Sequence, residues 1–288
     1  MIPPLDKTDI ARWLGDIVPA WTLLDSDSFA ALHRPPSMGR SAIRLATDLS
    51  AEEATRSVML SNALVVLAAA AKPPGLKLTS TGNLSRHVVA AMFDRLDWPS
   101  LDRSVILQMH KVINEPDFPP LFFVRNLLEA ARLVRKHKDH LVPSPAGRKV
   151  LDGSTLLALQ ASLFEAAFWR IDLGYFSRGF LGSWPQDHIG LVLWSLSVAA
   201  NDWTEPAQLV RLCTIPIEEM LRRPHDIAQY ALEGMILRPL VAFGLVEHRE
   251  DPIPGQRFGT RDFYRKSPLF DHFLKFDVNL QTDGVVRH

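Results

Sequence analysis

Between Arg56 and Lys72 the chain runs fifteen residues, Ser57 to Ala71, without a charge. A helix made from such a run has no polar face to offer water and must be covered on all sides. The run is shorter than the roughly 20 residues that cross a bilayer, and it contains Ser61 and Asn62. It therefore belongs in the interior of a folded domain. Ile189 to Asn201 is a second, shorter run of the same kind. Two buried core helices point to a mainly α-helical protein in which other elements wrap around each.

The length of 288 residues fits two modules of ordinary size, each able to bury a core without a covalent staple. A single cysteine, Cys213, excludes an intramolecular disulfide framework and a cysteine-rich zinc site, and it suits a reducing compartment. Met1-Ile2-Pro3-Pro4-Leu5-Asp6 has neither the basic start nor the apolar core of a signal peptide. The expectation is a cytoplasmic protein with no membrane partner.

Local signals divide the chain into four segments: an N-terminal helical segment (1–53), a first unit (54–153), a linking helix and loop (154–186) and a second unit (187–288). In the first segment, an amphipathic helix is expected over Lys7–Val18, followed by a loop from Asp25 to Ser41. Ser50-Ala51-Glu52-Glu53 has the capping-box spacing, so a helix should start there and run through Leu67 to a stop before Pro73-Pro74-Gly75. The first unit continues with a short strand at Leu76–Thr79 and a turn at Gly82. A helix follows to about Leu96, and another spans Leu121–Leu133. The hairpin comes next, Leu133–Lys136 returning as His140–Val142, and then a helix from Ser144-Pro145. Helix, short strand, helix, helix, hairpin is the order of a winged helix-turn-helix.

The second unit repeats this plan. Helices are expected at His188–Ala200, at Ala207–Leu212 with Thr204 as N-cap, and from Asp226 to Phe243 with a bend at Pro239. Gly244 then ends the last of them. A longer hairpin and a helix from Ser267-Pro268 complete the copy. Leu133-Val134 matches Leu245-Val246, and Ser144-Pro145 matches Ser267-Pro268. The fold class expected is thus mainly α, two winged-helix-like units joined by helices, with Thr155–Arg170 as the helix between them.

Lys+Arg and Asp+Glu balance at 32 each, yet unevenly. Residues 54–153 carry 14 basic and 8 acidic side chains, whereas the flanking segments are both net acidic. Only the middle can attract a polyanion. Arg132, Arg135, Lys136, Lys138, Arg148 and Lys149 stand against one acid, Asp139, along the first hairpin and the helix after it. Such a basic edge can hold phosphates, or it can simply guard a sheet edge against mispairing. Arg125 and Asn126 on the preceding helix are of the types that read base edges, although that helix is otherwise strongly apolar. The second hairpin, with Glu247, Glu250 and Asp251, should repel phosphate.

Signals for catalysis and for metals are weak. His137 and His140 are expected on opposite faces of the hairpin, which argues against a metal there. There is no phosphate-binding loop, no G-x-G-x-x-G and no G-x-S-x-G; Gly179-Phe180-Leu181-Gly182 is only a loop. No cofactor is implied. Cys213 ends an apolar helix as a small core residue. Thr79–Leu84 suits an anion-binding helix start, or more simply a turn and cap.

The stretch Leu76–Leu84, L-K-L-T-S-T-G-N-L, resembles the L-T-x-T-G-N-L signature of a group of uncharacterised bacterial proteins. Asn114-Glu115-Pro116-Asp117-Phe118-Pro119-Pro120-Leu121 and the hairpin Leu133–Val142 resemble that group's next two elements. The similarity extends through Phe168–Tyr175 to Asn201-Asp202-Trp203, covering about residues 55–275. Phe122-Phe123 departs from the leucine- or histidine-rich helix expected there. The resemblance implies a bacterial origin and this fold, and it implies no catalytic residue.

The function expected is a non-catalytic binding module, associated with double-stranded DNA through the first unit. One alternative is a protein-interaction adaptor that binds no nucleic acid. The other is an enzyme whose site forms between the units from Arg170, Asp172, His188 and Asp202.

Overall fold

The computed structural model describes residues 7–99, 101–153, 156–177, 181–222, 225–255 and 259–281. Met1–Asp6, Thr155 and the Gly179-Phe180 part of the predicted loop lie outside the described residues. The protein is mainly helical, with a few short antiparallel strand pairs. Among the described residues no helix is long and apolar enough to cross a membrane. Two compact units are present: Thr47–Ile171, and a unit formed jointly by Met1–Ala46 and Asp172–His288. The segments 54–153 and 187–288 fall one within each.

In the central unit the capping box at Ser50 forms as the spacing predicts. Ser50 Oγ accepts from the Glu53 amide at 3.2 Å, and Glu53 Oε2 accepts from the Ser50 amide at 2.8 Å. The helix that it starts nevertheless ends at Thr55 rather than continuing to Leu67. Ser57 is the reason: its Oγ accepts from the Leu60 amide at 3.1 Å and starts a fresh helix, Val58–Ala71. That helix is the charge-free run. Met59, Leu60, Asn62, Ala63, Val66, Leu67, Ala69 and Ala70 are all buried along it. Asn62 is tolerated inside because both ends of its amide are used, donating to Asp97 O at 2.5 Å and accepting from the Asp97 amide at 3.1 Å. Left unpaired, the same group would cost about 1–3 kcal/mol.

The short strand Leu76–Lys77 pairs antiparallel with His140–Pro143, which pairs in turn with Val134–His137. Helices Arg86–Phe93, Arg103–Met109 and Pro119–Ala130 lie between the first strand and the hairpin, and Pro145–Leu151 and Leu156–Trp169 follow it. Val58–Ala71 packs on Pro119–Ala130 and on the His140–Pro143 strand, and Pro119–Ala130 packs on Leu156–Trp169. Leu67, Phe118, Leu121, Leu127, Leu141, Leu163 and Phe164 are buried in this core.

In the other unit the Asp25–Ser41 segment is not wholly a loop. Asp25 accepts from the Ser28 amide and caps a helix, Ser26–Leu32. Strand Ile43–Leu45 pairs antiparallel with Leu274–Phe276, joining the early part of the chain to its last described residues. Helix Ile189–Ala199 is the second apolar run, buried from Ile189 through Leu196. Gly190 lies where Ser26–Leu32 crosses it: a Cβ there would stand 1.8 Å from Leu32 O. Pro206–Cys213 begins after Glu205 rather than being capped by Thr204. Thr204 is instead committed to a strand-like bridge, exchanging both backbone hydrogen bonds with Tyr264 at 3.0 Å. The helical stretch after His225 contains a π-helical turn at Glu233–Leu237, immediately before Pro239. Gly244 ends it at φ 74°. Cys213 is fully buried, and burial holds its thiol protonated.

The matching sequence anchors make the same hydrogen bonds at both hairpins. Leu133 N donates to Leu128 O and Leu245 N to Leu240 O, each at 2.9 Å. Ser144 N donates to Leu133 O and Ser267 N to Leu245 O, again at 2.9 Å. Ser144 Oγ donates to Arg132 O and Ser267 Oγ to Gly244 O, both at 2.7 Å. Each hairpin is thus clasped at its base by the serine that begins the next helix.

Two expected outcomes follow from this packing. A Cβ at Gly147 would sit 2.1 Å from Leu133 O, a backbone atom that cannot move without opening the clasp. Gly147→Ala should therefore destabilise the central unit by about 3 kcal/mol or more in urea unfolding. The second outcome concerns His33 and His188. His33 Nδ1 is 2.9 Å from Phe29 O and so carries the proton, leaving Nε2 to accept from His188 Nδ1 at 3.0 Å. Burial, and then the neighbouring His33, hold His188 below its ordinary 6.5. The unfolded chain takes up this proton first as pH falls, so stability is intact above 6.5 and declines below it. Melting temperatures measured from about pH 7 to about pH 5 should show that decline. His188→Asn keeps a donor without a titration and should flatten it.

Candidate nucleic-acid interface

The first hairpin is a short one. Val134 pairs with Pro143, Arg135 with Val142, Lys136 with Leu141 and His137 with His140, closed by Lys138-Asp139. Val134, Leu141 and Pro143 face the core, and Arg135, Lys136, His137 and Lys138 are exposed. Arg132 precedes the hairpin, while Arg148 and Lys149 follow on Pro145–Leu151, and all three are exposed. Arg132, Arg135, Lys136, Lys138, Arg148 and Lys149 make no side-chain hydrogen bond or ion pair among the described residues. The acid among them is already neutralised, since Asp139 pairs with Lys77 and lies 2.8 Å from His140 Nδ1. The Lys77 contact, first among several, holds the Asp139 carboxyl well below the usual range.

His137 and His140 are directly opposite one another in the hairpin. Directly opposed residues share a face, so the expectation of opposite faces is corrected: a two-residue turn reverses the chain and restores the same side. His140 Nδ1 faces Asp139, its neighbour in the turn.

Two of the candidate cations occupy costly backbone positions. Arg132 has φ 58° and Lys138 φ 52°. The left-handed region costs a side-chain-bearing residue about 1–2 kcal/mol, a penalty that glycine escapes. At the position equivalent to Arg132, the second copy has Gly244.

The preceding helix, Pro119–Ala130, is less available. Arg125 turns into the protein, its side chain 14% exposed. It donates to Gly82 O at 3.0 Å, pairs with Glu129 at 3.2 Å and faces Glu115 at 3.9 Å. Asn126 donates to Phe122 O at 2.7 Å within its own helix. Glu115 is fully buried and accepts from the Leu84 amide at 2.5 Å. Burial raises its pKa, with the Leu84 amide and Arg125 pulling the other way. Asn114 accepts from Arg86 at 3.1 Å, and Asp117 accepts from the Asn114 amide at 2.9 Å. The T-G-N-L and N-E-x-D motifs are thus two halves of one internal polar network. Thr79 N donates to Asn83 O and Gly82 N to Thr79 O, so this stretch is a turn.

The second hairpin, Val246–Pro252 with Thr260–Lys266, sorts its charges by face. On one face Arg249 pairs with Asp251 at 2.8 Å and Arg265 with Glu247 at 2.7 Å. These two guanidinium groups lie 4.7 and 4.5 Å from the centre of the Trp203 ring. The other face carries His248, Glu250 and Asp262, a grouping that strand alternation over Glu247–Asp251 and Asp262 defines and that the net acidity of the hairpin hides. The side chains of Arg170, Asp172 and His188 from the enzyme alternative are engaged with partners of their own. Arg170 binds Glu165 at 2.7 Å, Asp172 caps Leu173–Phe176 and His188 meets His33, while Asp202 is engaged through its main-chain carbonyl alone, which accepts from Thr204 Oγ1.

Residues 55–155 match a family model described as the Y4jL N-terminal domain. A curated relative, "Uncharacterized protein y4jL" of Sinorhizobium fredii (strain NBRC 101917 / NGR234), is 35% identical over 109 residues. That match covers 38% of this chain and 49% of the relative, so the chain spans about half the length of the curated protein it matches. The likeness agrees with a resemblance to an uncharacterised bacterial group. No solved structure matches. The matched residues hold the internal polar network and all eight candidate side chains.

Arg132→Gly should raise the stability of the central unit by about 0.5–1 kcal/mol, the left-handed penalty relieved less the greater backbone entropy of glycine. Equilibrium urea unfolding checks this, and Gly244→Arg should shift stability the opposite way.

Proposed function

We propose that the central unit is a winged-helix binding module that holds double-stranded DNA by its phosphates. The observation that carries this reading is the set of six exposed, unpaired cations over residues 132–149, beside an acid already neutralised. Arg132 adds support, since an arginine stands in a left-handed position where the second copy has glycine. The winged-helix reading rests on the order of elements, with the first short strand paired to the returning strand of the hairpin. The second hairpin, its arginines paired internally, is assigned no part in the contact.

Base reading is not part of the proposal, because Arg125 and Asn126 are engaged internally. Affinity then comes from counterion release, about 0.9 in the logarithmic salt slope for each phosphate neutralised. A second reading, a protein-interaction adaptor, is favoured by one observation. Val105, Leu107, Met109 and Val112 are 45–70% exposed on and just after the Arg103–Met109 helix.

The test is duplex DNA binding by the full chain as a function of salt. Arg135→Gln, Lys136→Gln and Lys138→Asn together should lower the slope by about 2.7 and weaken binding at every DNA sequence tried. Asparagine is chosen at position 138 because it tolerates the left-handed backbone. Binding unchanged in this variant, or no binding by the parent chain at low salt, would overturn the DNA reading.

A further inference from the structure

We infer that the second hairpin carries a site for a divalent transition-metal ion, of the zinc class, held by His248, Glu250 and Asp262. The three donor atoms lie within 4.8 Å of one another. The register explains how they converge. Glu250 is directly opposite Asp262, and His248, two residues before Glu250, is opposite Tyr264. With a period of two, all four side chains project from one face of the hairpin.

The three donors stand close enough for an ion to take the place of the His248–Asp262 hydrogen bond. His248 Nε2 and Asp262 Oδ1 are 2.7 Å apart, while the exposed Glu250 carboxylate lies within 4.8 Å of both and accepts only a long 3.4 Å hydrogen bond from Thr260 Oγ1. Ligands about 2.0–2.2 Å from a shared metal lie roughly 3.3 Å from each other in a tetrahedral arrangement. A small opening of the His248–Asp262 contact and a rotation of Glu250 would reach it. One imidazole with two carboxylates is a donor set for zinc or manganese, and three protein ligands leave a position for water or another ligand.

Two supports behind the donors point the same way. The imidazole is held flat against Tyr264, ring centres 4.7 Å apart and planes 24° apart. The Tyr264 hydroxyl is in turn fixed by Glu233 at 3.2 Å, a carboxylate only 3% exposed. Such outer contacts orient a ligating histidine before the ion arrives. Glu250 and Asp262 also place two carboxylates near this one imidazole, and a dication would compensate them. Zinc takes the Nε2 lone pair of the neutral imidazole, so the proton that Nε2 shares with Asp262 must move to Nδ1, or leave to solvent where Nδ1 is already protonated.

The experiment is titration of the chelator-treated full chain with zinc by calorimetry, with cobalt as a spectroscopic substitute. The expected result is one saturable equivalent per chain and a tetrahedral or five-coordinate cobalt spectrum. His248→Ala should abolish both, and Glu250→Gln should weaken binding by at least about tenfold. His137→Ala with His140→Ala should leave binding unchanged. Absence of a saturable equivalent, or binding indifferent to both His248→Ala and Glu250→Gln, would overturn the site. Should His248→Ala fail to fold, the exposed Glu250→Gln variant decides the matter.

Discussion

The central unit depends on a carboxylate out of reach of water. Glu115 accepts the Leu84 amide and faces Arg125, which itself grips Gly82 O. These contacts tie the start of Arg86–Phe93 to the middle of Pro119–Ala130, and the hairpin begins four residues after that helix ends. Removing one member of such a buried pair typically costs about 3–5 kcal/mol, because the other charge is stranded. These contacts therefore hold the Gly82–Leu84 turn against Pro119–Ala130, the helix that leads into the hairpin. They also explain why an arginine on the expected reading helix is unavailable to a ligand.

Helix and strand order was legible wherever a local rule acts alone. The Ser50 capping box, the charge-free run at Ser57–Ala71, the Gly244 stop and the two hairpins all follow from neighbouring residues. Errors arose where a side chain had two possible uses. Ser57 reads as one more small residue in an apolar run, yet it caps a new helix. Thr204 reads as a cap and instead forms an isolated backbone bridge to Tyr264. Asp25 reads as part of a loop and starts a helix.

The candidate site divides in the same way. Exposure of Arg135, Lys136 and Lys138 follows from a hairpin with a two-residue turn, which sequence alone suggests. The engagement of Arg125 does not, because its partner Gly82 is 43 positions away. The two hairpins share a clasp and differ in surface chemistry. Both are clasped at the base by a serine hydroxyl, and this leaves the projecting strands free to vary. One is short with unpaired cations; the other is longer, with arginines stacked on Trp203 and acids gathered on its far side.

The pairing of Ile43–Leu45 with Leu274–Phe276 sets an order of events during synthesis. Every strand partner in Thr47–Ile171 is translated well before Leu274 leaves the ribosome. The inserted unit has all its own contacts within one continuous stretch, so it can complete its core while the strand at Ile43–Leu45 still waits for its mate. An unpaired strand edge is a hazard for aggregation during that wait. Having only three residues, one of them the exposed Arg44, keeps that edge a poor template for other chains.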